Sequence, residues 1–552
     1  MIIPRVKSQT KGTGVWSPKK KLTVATVAAD VYAANAVQAL ELFLPNCYIE
    51  NEENAEVTLS CLPTAPAAEW YRLTVTETGA KLEYADARGA INAVASLAQL
   101  VLDGPVEACV IEDYPEYLHR GLMLDLGRGI REPFQDLKDI AIHMALSKMN
   151  ILHLHLMDSE SLCFVSDALP LVKGSPKRQG RQYTKAQLKS LVELCTILAI
   201  EIIPEIEVPA HATSVVKAYP QFACDADEVP LSLWCTCPTT DEYYETYRAL
   251  IHEVAELFPG RYIHIGGDEL EFRGHYELYQ FCYWRECRKC KKFREEHGLA
   301  DLREQFYYLV RRMHEYVTEC GKTMMMWNDQ LDTSKDIPLP KDILIQFWRV
   351  ASSSAGPYVG CSMEGFARQG FSIINSAYQK TYIDFDTYLQ EKDLCEWTPT
   401  TWPEVYEEGK QYIKGSEMCA WEFGNREQYA FYDYSIIPNL PLFSDRLWDS
   451  APVEYTRAYR DEIYKITFGK KLSNDLHAVL GGILPPRTDK ILTHADVATI
   501  DMDLVAACID ELAEPTNGIY RKTRLEYVKL LQKIALLAYD AGMANRQETE
   551  IE

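Results

Sequence analysis

The order of apolar and polar positions divides this chain into stretches of different rhythm. In residues 1–113, Tyr71-Arg72-Leu73-Thr74-Val75 alternates apolar and polar side chains, the period of a half-buried strand, and Leu22–Val27 reads as a second strand. Ala34–Leu42 and Ala90–Leu102 carry helical spacing, with Gly89 as a break before the second. The stretch predicts an N-terminal α+β domain. Over residues 114–448 strand, loop and helix repeat in turn. Apolar runs begin near Leu122, Ile151, Ile202, Ile263, Thr323, Ile343, Ser372 and Gly415. Helical patterns separate them, including one behind the capping box Thr184-Lys185-Ala186-Gln187. Eight such units predict an α/β fold, a (β/α)8 TIM barrel. Residues 449–552 read as a mainly helical C-terminal region, suited either to packing on the barrel or to a homodimer contact.

Polar residues gather where the apolar runs stop, at the strand ends where barrels of this kind place their sites. The fourth run shows it best: after Pro259-Gly260, Tyr262-Ile263-His264-Ile265 ends in Gly266-Gly267-Asp268-Glu269. Adjacent carboxylates in a dry place raise each other's pKa, so a chain that keeps them there generally uses them. Other runs contribute Arg120, Asp125, Asp158, Glu205, Glu207, His211, Trp327, Asn328, Asp329, Trp348, Asn375, Trp421 and Glu422. Aromatic faces stack on sugar C–H surfaces and carboxylates bind hydroxyls, so these residues point to a carbohydrate hydrolase.

Composition narrows the partners. A net charge of −23 argues against nucleic acid or an anionic membrane as partner. No apolar run of about 18 residues occurs, so no spanning helix is expected. The opening Met1-Ile2-Ile3-Pro4-Arg5 lacks a signal-peptide pattern, and 16 cysteines without export suggest free thiols in a reducing compartment. A cytoplasmic location is therefore expected.

Four ordered segments resemble glycoside hydrolase family 20, the β-N-acetylhexosaminidases: Arg120-Gly-Leu-Met-Leu-Asp125, Lys148–His155 with Asp158, Ile203–His211, and His264-Ile-Gly-Gly-Asp-Glu269. The first 113 residues, with Glu69-Trp70-Tyr71-Arg72-Leu73, are similar to that family's N-terminal domain. The resemblance implies an exo-acting, retaining enzyme that removes terminal β-linked GlcNAc or GalNAc without a cofactor. In such enzymes the substrate's own acetamido oxygen attacks the anomeric carbon, forming an oxazolinium. It makes Glu269 the general acid/base, its pKa lifted by burial near Asp268, and Asp268 the acceptor of the acetamido N–H. Tyr382 polarises the acetamido oxygen, with Tyr378 a competitor. Arg120 holds the sugar 3- and 4-hydroxyls, and Trp327, Trp348 and Trp421 wall the pocket. Asp158, His211 and Glu207 form a supporting network, and Asp384 and Glu422 join the substrate-binding set. Glu207 stands where the family has Asp, and Glu422 comes one residue early.

Two rival readings remain at this level. A sugar-binding protein with a silent hydrolase site would keep the fold and lose turnover. His153-Leu154-His155 matches the metal-binding HxH of amidohydrolase barrels, although two histidines satisfying core hydrogen bonds explain it better. Cys282-x4-Cys287-x2-Cys290 in a basic stretch has the spacing of part of a zinc site, with Cys224, Cys235 or Cys237 as further ligands. Three ligands in a row are incomplete, so no metal ligand is assigned.

Overall fold

A computed structural model describes residues 1–26, 31–44, 48–51, 54–62, 64–128, 134–176, 179–225, 234–270, 284–349, 361–383, 391–421, 426–470, 472–473, 502–516, 518–521, 523–532 and 535–536. The N-terminal strands are β1 (Ser8–Trp16), β2 (Lys21–Thr26), β3 (Tyr48–Asn51), β4 (Val57–Cys61), β5 (Tyr71–Thr76), β6 (Gly79–Tyr84) and β7 (Val106–Asp113). They form one mixed sheet in the order β1-β7-β5-β6-β4-β2-β3. β5 alternates buried and partly exposed side chains, as its sequence predicts, because one face packs on helices. The helix Ala87–Val101 starts at Asp86, whose side chain accepts from Gly89 N, and is buried along nearly its whole length. It lies between this sheet and the barrel helix Phe134–Leu146, and Gln99 Nε2 donates to both Ile3 O and Leu146 O.

Eight parallel strands close the barrel: β8 (His119–Asp125), β9 (Ile151–His155), β10 (Glu201–Val208), β11 (Tyr262–Gly266), β12 (Thr323–Trp327), β13 (Leu344–Phe347), β14 (Ile373–Asn375) and β16 (Ile413–Ala420). Pairings β14–β16 and β16–β8 complete the circle. A two-residue strand, β15 (Tyr382–Ile383), pairs with the C-terminal end of β16 and brings Tyr382 to the mouth. Strands buried on both faces read as short, predominantly apolar runs, which is why all eight were visible in the sequence. Thr184 and Gln187 make the expected capping box at the helix Lys185–Ile197.

The barrel interior is not wholly apolar. His153, His155, Glu205, Glu207, His264, Gln346 and Glu417 are buried inside it. The C-terminal helix Arg457–Phe468 packs back on the N-terminal domain, with Lys465 Nζ 2.7 Å from Asp103 Oδ2. Among the described residues, no helix is long and apolar enough to cross a membrane.

Candidate active site

At the C-terminal end of the strands, Arg128, His155, His211, Asp268, Glu269, Trp327, Trp348, Tyr382 and Trp421 line one pocket. A larger cavity of about 1230 Å³ opens at the opposite end, between the strand N-termini and residues such as Arg88 and Glu407. Barrel enzymes carry their chemistry at the C-terminal end, and the aromatic and acidic groups converge there, so the smaller pocket is the site.

Local backbone explains how two neighbouring acids reach one pocket. β11 ends at Gly266, and Gly266 and Gly267 have φ of 68° and 91°. A Cβ on Gly266 would lie 1.9 Å from Glu207 Oε2, so the glycine makes room for the longer acid on β10. Glu269 (φ 50°) and His211 (φ 49°) are also left-handed, a strain of about 1–3 kcal/mol each that clusters at functional sites. Asp329 Oδ2 accepts from Glu269 N at 2.9 Å, and the Trp234 indole donates to Glu269 O at 3.1 Å. These bonds on both sides of the residue hold the turn.

His211 Nε2 lies 3.3 Å from Asp268 Oδ2 and 3.4 Å from Glu269 Oε2, while its Nδ1 is 3.4 Å from Asp158 Oδ2. Burial alone would lower the His211 pKa, but Asp158 and Asp268 outweigh it and raise it well above the ordinary value. Burial raises the Glu269 pKa, yet His211, Arg349 and Arg128 prevail and leave it below the usual carboxylate value. The expectation that burial near Asp268 lifts Glu269 is thus corrected for the free protein: three cations face that carboxyl. Glu207 behaves oppositely. Burial and the nearby Asp268 and Glu205 charges push it well above the usual range. Asp329 is raised to about 6, by burial first and by Asp268 second. Asp268 Oδ1 is buried without a hydrogen-bond partner among the described residues, an acceptor available to a ligand.

The aromatic walls converge as the sequence implied. Trp348 and Tyr382 lie parallel, 6.2 Å apart with a 9° interplanar angle, and Trp421 sits 5.8 Å from Tyr382 and 6.0 Å from Trp327. Tyr378 packs against Trp348 and Tyr382 from behind and does not line the pocket. Asp384 and Glu422 lie outside the described residues.

Arg120 is in the wrong place for a sugar. It is fully buried near the start of β8, donating to Glu69 Oε2 (2.6 Å), Lys148 O and Tyr117 O and stacking on Trp448. Five residues of strand, roughly 16 Å, separate it from the mouth. Arg128 stands there instead, bonded to Asp125 Oδ2 (2.6 Å) and Asp158 Oδ2 (3.0 Å) and lying over the Trp421 ring. The signal for it was the spacing Asp125-x2-Arg128 at a strand's C-terminal end. Sequence reasoning also missed Arg349, whose Nη2 is 3.5 Å from Glu269 Oε1.

A continuous column of imidazoles and carboxylates descends from the pocket. His155 Nε2 meets Asp158 Oδ2 at 3.0 Å and its Nδ1 meets Glu205 Oε2 at 2.7 Å. His153 Nδ1 meets Glu417 Oε2 at 2.8 Å, and its Nε2 lies 3.1 Å from Glu205 Oε2 without the alignment of a hydrogen bond. His119 Nε2 closes the column on Glu417 Oε1 at 2.6 Å, beside the lower cavity. Burial lowers the His153 pKa, but Glu417 and Glu205 reverse that and raise it to about 9. Both histidines of the HxH pair are therefore engaged by core carboxylates.

Acids, indoles and an arginine fork at the mouth of a (β/α)8 barrel define a carbohydrate-processing hydrolase of the TIM-barrel class. The sequence profile of "Glycosyl hydrolase family 20, catalytic domain" matches residues 117–451, and that of "Glycosyl hydrolase family 20, domain 2" matches residues 1–114. The chain belongs to glycoside hydrolase family 20, the β-N-acetylhexosaminidase glycosidases. It is similar to a β-hexosaminidase of Akkermansia muciniphila, 30% identical over 354 residues, covering 60% of this chain and 67% of that protein. A β-hexosaminidase of Vibrio furnissii is 28% identical over 383 residues, covering 63% of this chain and 58% of the relative. The family 20 exo-β-N-acetylglucosaminidase from Vibrio harveyi, solved with N-acetylglucosamine, superimposes with a TM-score of 0.70 at 21% identity, over 84% of this chain and 75% of that one. The β-N-acetylhexosaminidase from Bacteroides fragilis gives a TM-score of 0.70 at 21% identity, over 84% and 94%. At such identity the structural likeness speaks for the fold.

Proposed function

We propose that the protein is an exo-acting, retaining hexosaminidase that releases terminal β-linked GlcNAc or GalNAc by substrate assistance. The observation that carries the reading is the placement of Asp268 and Glu269 against one imidazole edge, within 3.4 Å of His211 Nε2. Two carboxylates held on one side of a sugar cannot act from opposite faces of the anomeric carbon, as an enzyme nucleophile and its acid must. The nucleophile is then the substrate's acetamido oxygen.

In this mechanism Asp268 accepts the acetamido N–H and balances the positive charge that develops on that nitrogen. Tyr382 donates to the acetamido oxygen as it approaches C1. Glu269 gives its proton to the glycosidic oxygen as the C1–O bond breaks, leaving an oxazolinium. It then takes a proton from the water that attacks C1, restoring the original configuration. In the free protein that proton rests on His211. A bound sugar excludes water from Glu269 and engages Asp268, which shifts the proton toward Glu269. Arg128 holds ring hydroxyls with its fork of donors, and the tryptophans stack on the sugar.

The test compares aryl β-GlcNAc with the corresponding aryl β-glucoside, which lacks the acetamido group. Turnover of the first alone, inhibition by a thiazoline mimic and loss of activity in Asp268→Asn are expected. Equal cleavage of both substrates would replace this mechanism with an enzyme-nucleophile one. Binding without turnover would favour the silent sugar-binding protein.

A further inference from the structure

Away from the pocket, four cysteines converge from two segments of chain. Cys224 and Cys237 follow β10, and Cys287 and Cys290 follow β11; all four are buried and their sulfurs lie within 4.8 Å of one another. Cys237 Sγ is 3.7 Å from Cys287 Sγ and 3.4 Å from Cys290 Sγ. These separations are far too long for a disulfide, which needs about 2.05 Å. They match the edge of a tetrahedron with metal–sulfur bonds of about 2.3 Å, roughly 3.8 Å.

The surroundings are built as a knuckle. Cys287 caps the helix Arg288–His297 and Cys290 lies in its first turn, where the helix dipole favours thiolate. The backbone N–H groups of Asp225 and Cys290 point at Cys287 Sγ from 3.4 and 3.5 Å. Arg288, Lys289, Lys291 and Lys292 supply positive charge on the same helix, against the double negative charge of a divalent ion with four thiolates. Asp225 Oδ1 also sits 3.2 Å from Cys287 Sγ.

We propose that Cys224, Cys237, Cys287 and Cys290 bind one structural Zn²⁺ that clamps the segment after β10 to the segment after β11. Four soft sulfur ligands in a closed tetrahedral shell select zinc and leave no open position for catalysis. Cys282, part of the spacing noted in the sequence, lies outside the described residues, and Cys235 is not in the four-sulfur group. The clamp reaches the pocket through its wall. Thr236 N donates to Pro209 O at 2.8 Å, two residues before His211, and the Trp284 indole donates to Thr236 O at 2.8 Å. Trp234, three residues before Cys237, packs against His211 with its ring tilted by 52° and donates to Glu269 O. The ion thus fixes the loop that supports the acid turn and takes no part in the chemistry.

Elemental analysis of the full chain, purified reduced from zinc-replete cells, decides this. About one zinc per chain is expected. Cobalt exchanged into the protein should show tetrahedral thiolate ligand-field absorption. Cys287→Ser/Cys290→Ser should drop the metal content at least tenfold, while Cys61→Ser, in the N-terminal domain, keeps it. If the double variant does not fold, stoichiometric zinc released from wild-type protein by an organomercurial, together with the cobalt spectrum, stands in its place. Stoichiometric iron without zinc, two disulfides by mass spectrometry, or reduced wild-type protein that takes up no added zinc would each overturn the proposal.

Discussion

Arg120 lies on the first barrel strand and Arg128 just beyond its C-terminal end, and substituting each in turn tests the site's placement. Arg120→Ala removes the cation of a fully buried pair and leaves Glu69 (3% exposed) facing Arg88 at 3.4 Å in place of its 2.6 Å partner. Breaking a buried pair costs about 3–5 kcal/mol. An unfolding entropy of about 2.1 cal/mol/K per residue makes each kcal/mol worth roughly 1 °C in a chain of this size, so Tm should fall by about 3–5 °C. Activity of the folded fraction should stay within about threefold, because the side chain touches no part of the pocket. Arg128→Ala should behave inversely. It removes a charged fork aimed into the pocket and unbalances Asp158, whose pKa burial raises but Arg128, His211 and His155 hold well below the usual range. Loss of one positioned donor of this kind costs about 2.7–4 kcal/mol at the transition state, a fall in kcat/KM of about 10²–10³. The assay pairs aryl amino-sugar kinetics with differential scanning fluorimetry on both variants. A large kinetic loss in Arg120→Ala at unchanged Tm, with Arg128→Ala active, would refute the placement.

On the proposed mechanism the proton needed by Glu269 is stored on His211 in the free protein, so the basic limb of kcat/KM should lie well above the ordinary histidine value. His211→Gln should shift that limb to lower pH, since Glu269 must then hold its own proton; an unmoved limb would contradict the sharing. Gly266→Ala forces a methyl to within 1.9 Å of Glu207 Oε2 at φ 68°, and should lower stability by about 3 kcal/mol or more, read as a depressed denaturation midpoint. His143, on the barrel helix beside Tyr520, is lowered from 6.5 to about 4 by burial. Its contribution is fully present above about pH 6.5 and is lost as pH falls toward 4, because the unfolded chain takes up the proton first. At about 1.4 kcal/mol per pH unit this amounts to roughly 3 kcal/mol. Denaturant titrations at pH 7 and 4.5 should show His143→Phe losing less stability than wild type, and equal losses would exclude the assignment.

The barrel was legible because its strands are buried on both faces, so Ile151–His155 and Tyr262–Gly266 read as mainly apolar runs, interrupted by His153 and His264, that stop at polar residues. β1 was not: eight of its nine residues are exposed, and its pairing with β7 alone holds it in the sheet. Asp268, Glu269, His211 and the tryptophans were placed by strand-end position, which the chain order reveals directly. The motif places Arg120 in the site without regard to its depth along β8, and that depth is what keeps it from the pocket that Arg128 lines. The cysteine cluster was half visible. Cys287-x2-Cys290 is local, but Cys224 and Cys237 are 50 or more residues upstream and meet it only through the packing of two loops.

The column from His119 to His211 has a consequence for how this barrel can change. Where aliphatic layers fill a barrel, one side chain is exchanged for another of similar volume and neighbours adjust. Here the interior is specified by partner and direction: Glu417 answers both His119 and His153, and Glu205 answers His153, His155 and Trp327. Replacing any one residue strands a charge on the next, so the column is inherited as a block. A designer grafting this pocket onto another eight-stranded barrel would have to carry the floor along with the mouth.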